Sequence, residues 1–392
     1  MKEQRQLHEE KVDQARRYMD ARGIDLAIVR DRGTGDPSVP LLFGTRTAHD
    51  TFYLMTTRGT TVLVHPDDEG GVRDAGLFDE VIVYGTEGPA ATVGGFVRSA
   101  DPRRIALNIS KTNHLADGLD VGAYRSLLAM IGEPYASRIV SSEDYIQKLR
   151  SIKSAQELAY IRRAIEITLE IYDEVFSAAR AGMTEIEVGE LFIEGMKKRD
   201  VVNGISRDLS PPIVMKHRIA HRAPGEGVLE PGDYVICDFS VDYMGYCSDI
   251  ARTAYVLKPG ETAPSEPMQK AFRTVREATE AALAVLKPGA VGKDVDHAAR
   301  QYVLDRGYPN IFHAVGHQVG RDVHDGGTIL GPEKKSYRKA ALGTVEEGMV
   351  FAIEPTILYE EGPAIISEDN YVVTADGPEL LGEPQRELIL IR

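Results

Sequence analysis

Two acidic residues occupy the same place in two matching stretches of this chain. Leu229-Glu230-Pro231-Gly232-Asp233-Tyr234-Val235-Ile236-Cys237-Asp238 is echoed by Val345-Glu346-Glu347-Gly348-Met349-Val350-Phe351-Ala352-Ile353-Glu354, so a constant offset takes Leu229 to Val345 and Asp238 to Glu354. Each stretch is an acidic turn with Gly at its fourth position, followed by an apolar run with the signature of a buried strand. An ionised carboxylate carried into the interior is costly unless it is paired or bound to a metal. Two related strands that each deliver one therefore suggest a symmetric, metal-filled site. A second acid follows each strand: Asp249 in Tyr246-Cys247-Ser248-Asp249, and Glu368 in Ile366-Ser367-Glu368-Asp369.

The spacing of Asp238 and Asp249 centres their hairpin between Tyr243 and Met244. In a regular two-residue hairpin the two acids would then stand directly opposite, side chains on one face. Like charges that close raise one pKa unless a cation intervenes. The histidines supply further ligands: His313-Ala314-Val315-Gly316-His317 leads to Val323-His324-Asp325, three of the chain's ten histidines in one short segment. One imidazole with four carboxylates makes an oxygen-rich donor set, which suits Mn²⁺, Fe²⁺ or Co²⁺ better than a sulfur-rich zinc site would, with Zn²⁺ also compatible. Four carboxylates offset two divalent cations. Two such ions roughly 3.5–4 Å apart would acidify a water between them and polarise a scissile carbonyl, which makes metal-assisted hydrolysis the reaction class.

The surrounding elements must place these groups. Upstream, Ala181-Gly182-Met183-Thr184 is echoed by Pro288-Gly289-Ala290-Val291, each opening a helical segment, so the C-terminal part reads as a duplicated helix-plus-hairpin unit. Residues 1–142 alternate helical patterns with the β-branched runs Leu26–Val29, Thr61–Val64, Val81–Tyr84 and Arg104–Leu107, an α/β domain in which no constellation of His, Cys or acids stands out. Residues 143–392 form the second domain. It opens on caps at Ser141–Asp144 and then a capping box, Ser154 with Glu157, that starts a long helix reaching about Ala179.

At 392 residues the chain is long enough for two cores, and 43% hydrophobic with 27% charged residues is ordinary for a globular protein. A net charge of −14 argues against nucleic acid or an anionic membrane as partner. The N-terminus has no apolar signal core and no long apolar run occurs, so a cytoplasmic location is expected. Cys237 and Cys247 are the two cysteines, too few for a disulfide framework and better read as small buried strand residues.

The order Asp238, Asp249, His317, Glu354, Glu368, with His221 upstream, resembles the pita-bread metallopeptidases, the group of Xaa-Pro dipeptidases (prolidases), Xaa-Pro aminopeptidases and methionine aminopeptidases. The similarity covers roughly residues 145–392, and the N-terminal domain is similar to the creatinase-like domain of the proline-directed members. The resemblance implies an α+β pita-bread catalytic domain behind an N-terminal α/β domain, two divalent metal ions with Mn²⁺ foremost, and a homodimer. Among the metal ligands it implies that Asp238 chelates one ion, Asp249 and Glu368 bridge, and His317 and Glu354 complete the second site. Glu354 would also take a proton from the attacking water. His221 matches a substrate-contacting His, His324 one that steadies the carbonyl oxygen or shuttles a proton, and His313 one that lines the substrate pocket.

This chain also departs from the family pattern. Glu-Pro-Gly-x-Tyr has become Glu354-Pro355-Thr356-Ile357-Leu358, with Tyr359 one residue late, and Arg-Ile-Glu-Asp has become Ile366-Ser367-Glu368-Asp369. The lost Arg helps prolidases hold the substrate carboxylate, and Arg321, in Gly316-His317-Gln318-Val319-Gly320-Arg321, is the candidate replacement. The reading is hydrolysis of the Xaa-Pro bond, dipeptides first, with a small peptide carrying proline in second position as substrate. The alternatives are an Xaa-Pro aminopeptidase acting on longer peptides, a non-peptidase hydrolase or lyase, and a silent binding protein on the same fold.

Overall fold

A computed structural model describes residues 2–33, 35–44, 46–217, 221–335, 337–359 and 364–392. The chain divides into two compact units, residues 1–150 and 151–392. The sequence boundary at 142/143 lies just ahead of helix Glu143–Ser151, whose Tyr145, Ile146 and Leu149 are buried in a core of the first unit. Among the described residues no helix is long and apolar enough to cross a membrane.

The first unit is built on one mixed sheet of β1 (Leu26–Asp31), β2 (Thr51–Thr56), β3 (Thr60–Val64), β4 (Glu80–Val83), β5 (Ile105–Leu107) and β6 (Ile139–Ser141), in the order β4-β3-β2-β1-β5-β6. The four β-branched runs are β1, β3, β4 and β5; the sequence pattern does not reveal β2 and β6. Strand alternation sends Ala27, Val29, Tyr53 and Met55 to one face, against Val12, Ala15 and Met19 of helix Lys2–Asp20. It sends Leu26, Ile28, Phe52 and Leu54 to the other, against Val93, Val97, Leu127 and Ile131. A sheet covered on both faces reads as near-continuous apolar runs.

The second unit opens with helices Ala155–Ala178 and Glu185–Arg199, then β7 (Val202–Asn203), β8 (Ile213–Lys216), β9 (Tyr234–Phe239), β10 (Val241–Tyr243), β11 (Tyr246–Cys247) and β12 (Ile250–Val256). Helices Glu266–Val285 and Gly292–Asp305 follow, then β13 (Gly316–Gln318), β14 (Val350–Ile353), β15 (Thr356–Leu358), β16 (Ala364–Ile366), β17 (Asp369–Thr374) and β18 (Gly377–Leu380). Last comes β19 (Ile389–Ile391), which returns parallel to β12. The two main sheets run β19-β12-β9-β8 and β13-β14-β17-β18. The long helix starts at the capping box read from the sequence, with Ser154 bonding the Glu157 amide.

The duplication is visible bond by bond. Gly182 N–H donates to Leu229 O (2.8 Å) as Gly289 N–H does to Val345 O (2.9 Å), and Leu229 N–H donates to Met183 O as Val345 N–H does to Ala290 O. Isolated bridges join Thr184 to Val228 and Val291 to Thr344. The turn glycines Gly232 and Gly348 have φ of 105° and 84°, a region that residues with a Cβ avoid, which is why Gly recurs at the fourth position of both acidic turns.

The first hairpin is not centred where spacing put it. The turn residues are Met244 (φ 55°) and Gly245 (φ 80°), and Asp242 pairs with Cys247, Tyr243 with Tyr246, so Asp238 faces Ala251 rather than Asp249. A two-residue turn with both φ values positive matches the right-handed twist of the strands and favours Gly at its second position, which moves the centre one residue on. The slip amounts to two positions in the register, so Asp238 and Asp249 keep the same face and meet on the diagonal.

From the helix behind, the buried Tyr172 hydroxyl lies 2.8 Å from Cys237 O and 2.7 Å from Ile250 O, beside both acids. Replacing Tyr172 with Phe leaves these carbonyls without that donor. It should lower stability by about 1–3 kcal/mol in urea unfolding of the metal-free chain. An unchanged midpoint would mean that the hydroxyl does not hold the strand pair.

Candidate metal centre

The second hairpin presents its acids by a different device. The β14–β17 and β15–β16 pairings keep one register on either side of Glu354-Pro355, which sets Glu354 across from Glu368. Pro355 has no N–H to give the ladder, so the pairing opens there. The two hairpins are then tied together by bonds that need no metal. Glu368 N–H donates to Ala251 O (3.1 Å), Asp249 N–H to Asn370 Oδ1 (2.9 Å), and Asn370 Nδ2 returns to Asp249 O (2.7 Å). Arg252 donates to Glu368 O (2.7 Å) and to Asp369 Oδ1 (2.8 Å). Ile236, Ala251, Ala364 and Ile366 form an apolar patch between the hairpins. The sequence reading passed over Arg252, Asn370 and Tyr172; the available signal was polar residues inside otherwise buried strands and helices.

Potential ligand atoms of Asp249, His317 and Glu368 lie within 4.8 Å of one another, and all three residues are buried. His317, from β13, puts Nε2 3.3 Å from Asp249 Oδ2 and 3.7 Å from Glu354 Oε1. Asp238 and Glu354 are part-exposed, on the open side of the cluster. Burial and the charges of Asp249 and Glu354 push the Asp238 carboxyl well above its usual range. Burial, with Asp249, Glu354 and Asp238, does the same to Glu368, and burial raises Glu354 against the pull of His313 and His317. Burial pulls His317 down, but its bonds and charge contacts with Asp249 and Glu354 outweigh this and push it up to about 9. In the absence of a cation the cluster takes up protons to offset its own charge. That is the donor set two divalent cations fit: oxygen-rich, buried, and over-supplied with negative charge.

The other site residues fall around this cluster. The His324 ring lies tilted at 44° to that of His317, centroids 4.2 Å apart, and burial followed by the His317 charge lowers it to about 4. His221 is exposed. His313 lies with Nδ1 3.7 Å from Glu354 Oε2 and Nε2 3.1 Å from Thr356 Oγ1. Arg321 is placed differently: its guanidinium lies 5.0 Å from the Tyr246 ring centroid and packs against Gly245, and among the described residues it makes no ion pair with a site carboxylate. A further buried pair went unread in the sequence. Lys153 Nζ lies 3.1 Å from Asp325 Oδ2, and Asp325 N–H donates to Gln318 O, so the segment carrying His317 and His324 is anchored at both ends.

A duplicated antiparallel framework whose two hairpins converge on four carboxylates and an imidazole defines a pita-bread metallohydrolase. Residues 159–375 match metallopeptidase family M24, and the chain belongs to that family. It is 27% identical over 299 residues to the uncharacterized peptidase YqhT of Bacillus subtilis (strain 168), covering 76% of this chain and 80% of that one. Two solved structures share the fold. An X-Pro aminopeptidase from Thermotoga maritima MSB8 has a TM-score of 0.79 at 24% identity, over 97% of this chain and 100% of that one. An Xaa-Pro dipeptidase from Bacillus anthracis has a TM-score of 0.77 at 23% identity, over 98% and 100%.

The proton load makes the metal-free centre pH-sensitive. Asp238, Glu354, Glu368 and His317 all have folded pKa values above their unfolded ones, so the metal-free fold binds their protons more tightly than the unfolded chain does. Their contribution is full below the unfolded values and is lost as pH rises through the folded ones, so it should fall from about pH 4 to about pH 9, opposed only up to about pH 6.5 by His324, whose lowered value works the other way. Added Mn²⁺ should flatten the fall and release protons on binding. Thermal melts across that range check this; a metal-free profile that rises with pH would contradict it.

Proposed function

We propose that this chain is a dinuclear-metal exopeptidase that hydrolyses the bond between an N-terminal residue and proline. The observation that carries the reading is the convergence of Asp249, His317 and Glu368 at one buried point, bordered by Asp238 and Glu354, with His313 and His324 beside it. Asp238 would chelate one ion, Asp249 and Glu368 would bridge, and His317 with Glu354 would hold the second. Two bound divalent ions supply an acidified water and a polarised scissile carbonyl.

The remaining chemistry belongs to the chain. Glu354 stands on the open side, within 3.7 Å of ring nitrogens of both His313 and His317, and is the group to take the proton of the attacking water. His324, lowered to about 4, is a neutral imidazole at pH 7. It can donate a hydrogen bond to the carbonyl oxygen as charge builds there, without adding a cation to an already charged site. His313, with Nδ1 3.7 Å from Glu354 Oε2, and His221 would contact the substrate. A proline imide has no N–H and a fixed ring, so it needs a dedicated pocket. The reading extends to Mn²⁺ as the native ion and to a cytoplasmic homodimer.

Dipeptides are the substrate expected first. One observation favours longer peptides as the second reading: the position of the prolidase Arg is held by the buried, apolar Ile366, and Arg321 is engaged with Tyr246. Proline release from Ala-Pro, set against cleavage of Ala-Pro-Ala, by metal-stripped protein with Mn²⁺ restored, separates the two. Cleavage of Ala-Pro alone, with KM raised by Arg321→Ala, supports the dipeptidase. Cleavage of both, indifferent to Arg321→Ala, supports the aminopeptidase. Mn²⁺-independent activity, or none on either peptide, overturns the proposal.

A further inference from the structure

The first unit holds a second group of metal-ligand side chains, one the sequence reading did not see. His49 lies just ahead of β2 and His65 just after β3, and the antiparallel pairing of those strands brings them to one end. Their rings stack with centroids 4.2 Å apart and an interplanar angle of 18°. Asp67, in the turn Pro66–Asp68, completes the group: its Oδ2 is 3.8 Å from His49 Nε2 and 3.4 Å from His65 Nδ1.

We propose that His49, His65 and Asp67 bind one first-row divalent cation of the Zn²⁺ class, at a site separate from the carboxylate cluster. With metal–ligand bonds of about 2.0–2.2 Å, neighbouring donors of a tetrahedral ion lie roughly 3.3–3.6 Å apart, so the 3.4 Å separation falls in that range and the 3.8 Å one just beyond it; the stacked rings hold their in-plane lone pairs side by side, and one ring must turn out of the stack for both to meet one ion.

An independent observation concerns what stands behind the imidazole. Asp68 Oδ2 lies 3.0 Å from His49 Nδ1, and the same carboxylate accepts from the Ala48 and His49 amides at 3.1 Å each. Burial works to raise Asp68, but these bonds prevail and hold it below the usual carboxylate range. An ionised carboxylate on Nδ1 places the His49 proton there and leaves the Nε2 lone pair facing Asp67. That is the carboxylate–histidine–metal arrangement that orients metal-binding imidazoles.

At His65, the Asp67 amide donates to Nδ1 (3.2 Å), which keeps that nitrogen unprotonated and its lone pair on the Asp67 side. A cation would take this lone pair from the amide, whose exposed position leaves it to water. The side chains of His49, His65 and Asp67 are 42%, 35% and 70% exposed, so water can complete the coordination and the ion can enter. Two nitrogens and one oxygen with no sulfur suit Zn²⁺, Co²⁺ or Ni²⁺, whereas the more oxygen-rich carboxylate cluster extends to Mn²⁺ and Fe²⁺.

The test is equilibrium dialysis of the full metal-stripped chain against Zn²⁺, comparing wild type with His49→Ala/His65→Ala. The double variant should bind one equivalent fewer per chain, whatever number the carboxylate cluster holds, with its peptidase activity unchanged. Equal binding by both proteins overturns the proposal. Asp68→Asn keeps an acceptor for the two amides and covers the case in which the double variant fails to fold. It should retain the equivalent but bind it on the order of 10- to 100-fold more weakly. Wild-type affinity in that variant overturns the arrangement. With Co²⁺, the visible absorption of wild type should exceed that of His65→Ala by the contribution of one low-coordinate N/O site, the carboxylate cluster contributing equally to both; identical spectra overturn the assignment.

Discussion

The structure turns on like-charge repulsion among carboxylates that the backbone does not allow to separate. Asp249 and Glu368 are buried with His317 at one point, Asp238 and Glu354 border it, and the Asp238 and Glu368 carboxyls owe their rise first to burial and then to neighbouring acids. Left alone, such a cluster would relax by pulling its strands apart. It does not, because the bonds between Asn370 and Asp249, between Glu368 and Ala251, and from Arg252 to Glu368 and Asp369 fix both hairpins independently of the acids. The remaining ways to neutralise the charge are protons or cations, and two divalent ions replace several protons at once.

Duplication accounts for how one fold supplies so many converging acids. Each half contributes a positive-φ glycine turn, a buried strand and a second acid immediately before the return strand, so the same local rules act twice. The halves differ in how the acids meet: on the diagonal in the first hairpin, face to face across the Pro355 opening in the second. Strand β13 then brings the imidazole in beside β14, and the buried Lys153–Asp325 pair fixes the segment that follows. The departures from the family pattern, Thr356 and Ile366-Ser367, are buried beside Glu354 and Glu368 in the chain.

Much of the site was legible because it is written as exceptions to burial: an apolar run that ends on Asp238 or Glu354 carries a charge inward, and that charge must be neutralised there. The register was less legible. Centring the first hairpin on acid spacing ignored turn chemistry, and Gly245 as the second turn residue was the signal for the true centre. The expectation of a shared face survived because the slip was even. Strand β2, Thr51-Phe52-Tyr53-Leu54-Met55-Thr56, was unread, and without it nothing in the sequence brings His49 to His65, since their proximity exists only once β2 and β3 pair. The bonds from Tyr172, Arg252 and Asn370 were hidden for a related reason: a polar residue within a buried element shows that a partner is needed but does not say which.

The account rests on the carboxylate cluster being a two-ion site, and a crystal structure of the Mn²⁺-loaded chain with anomalous scattering at the manganese edge tests that most directly. Two peaks roughly 3.5–4 Å apart, ligated by Asp238, Asp249, His317, Glu354 and Glu368, are the predicted result. A cluster with no peak while manganese is in excess, its acids still crowded in place, would show that protons alone balance the charge and would contradict the account.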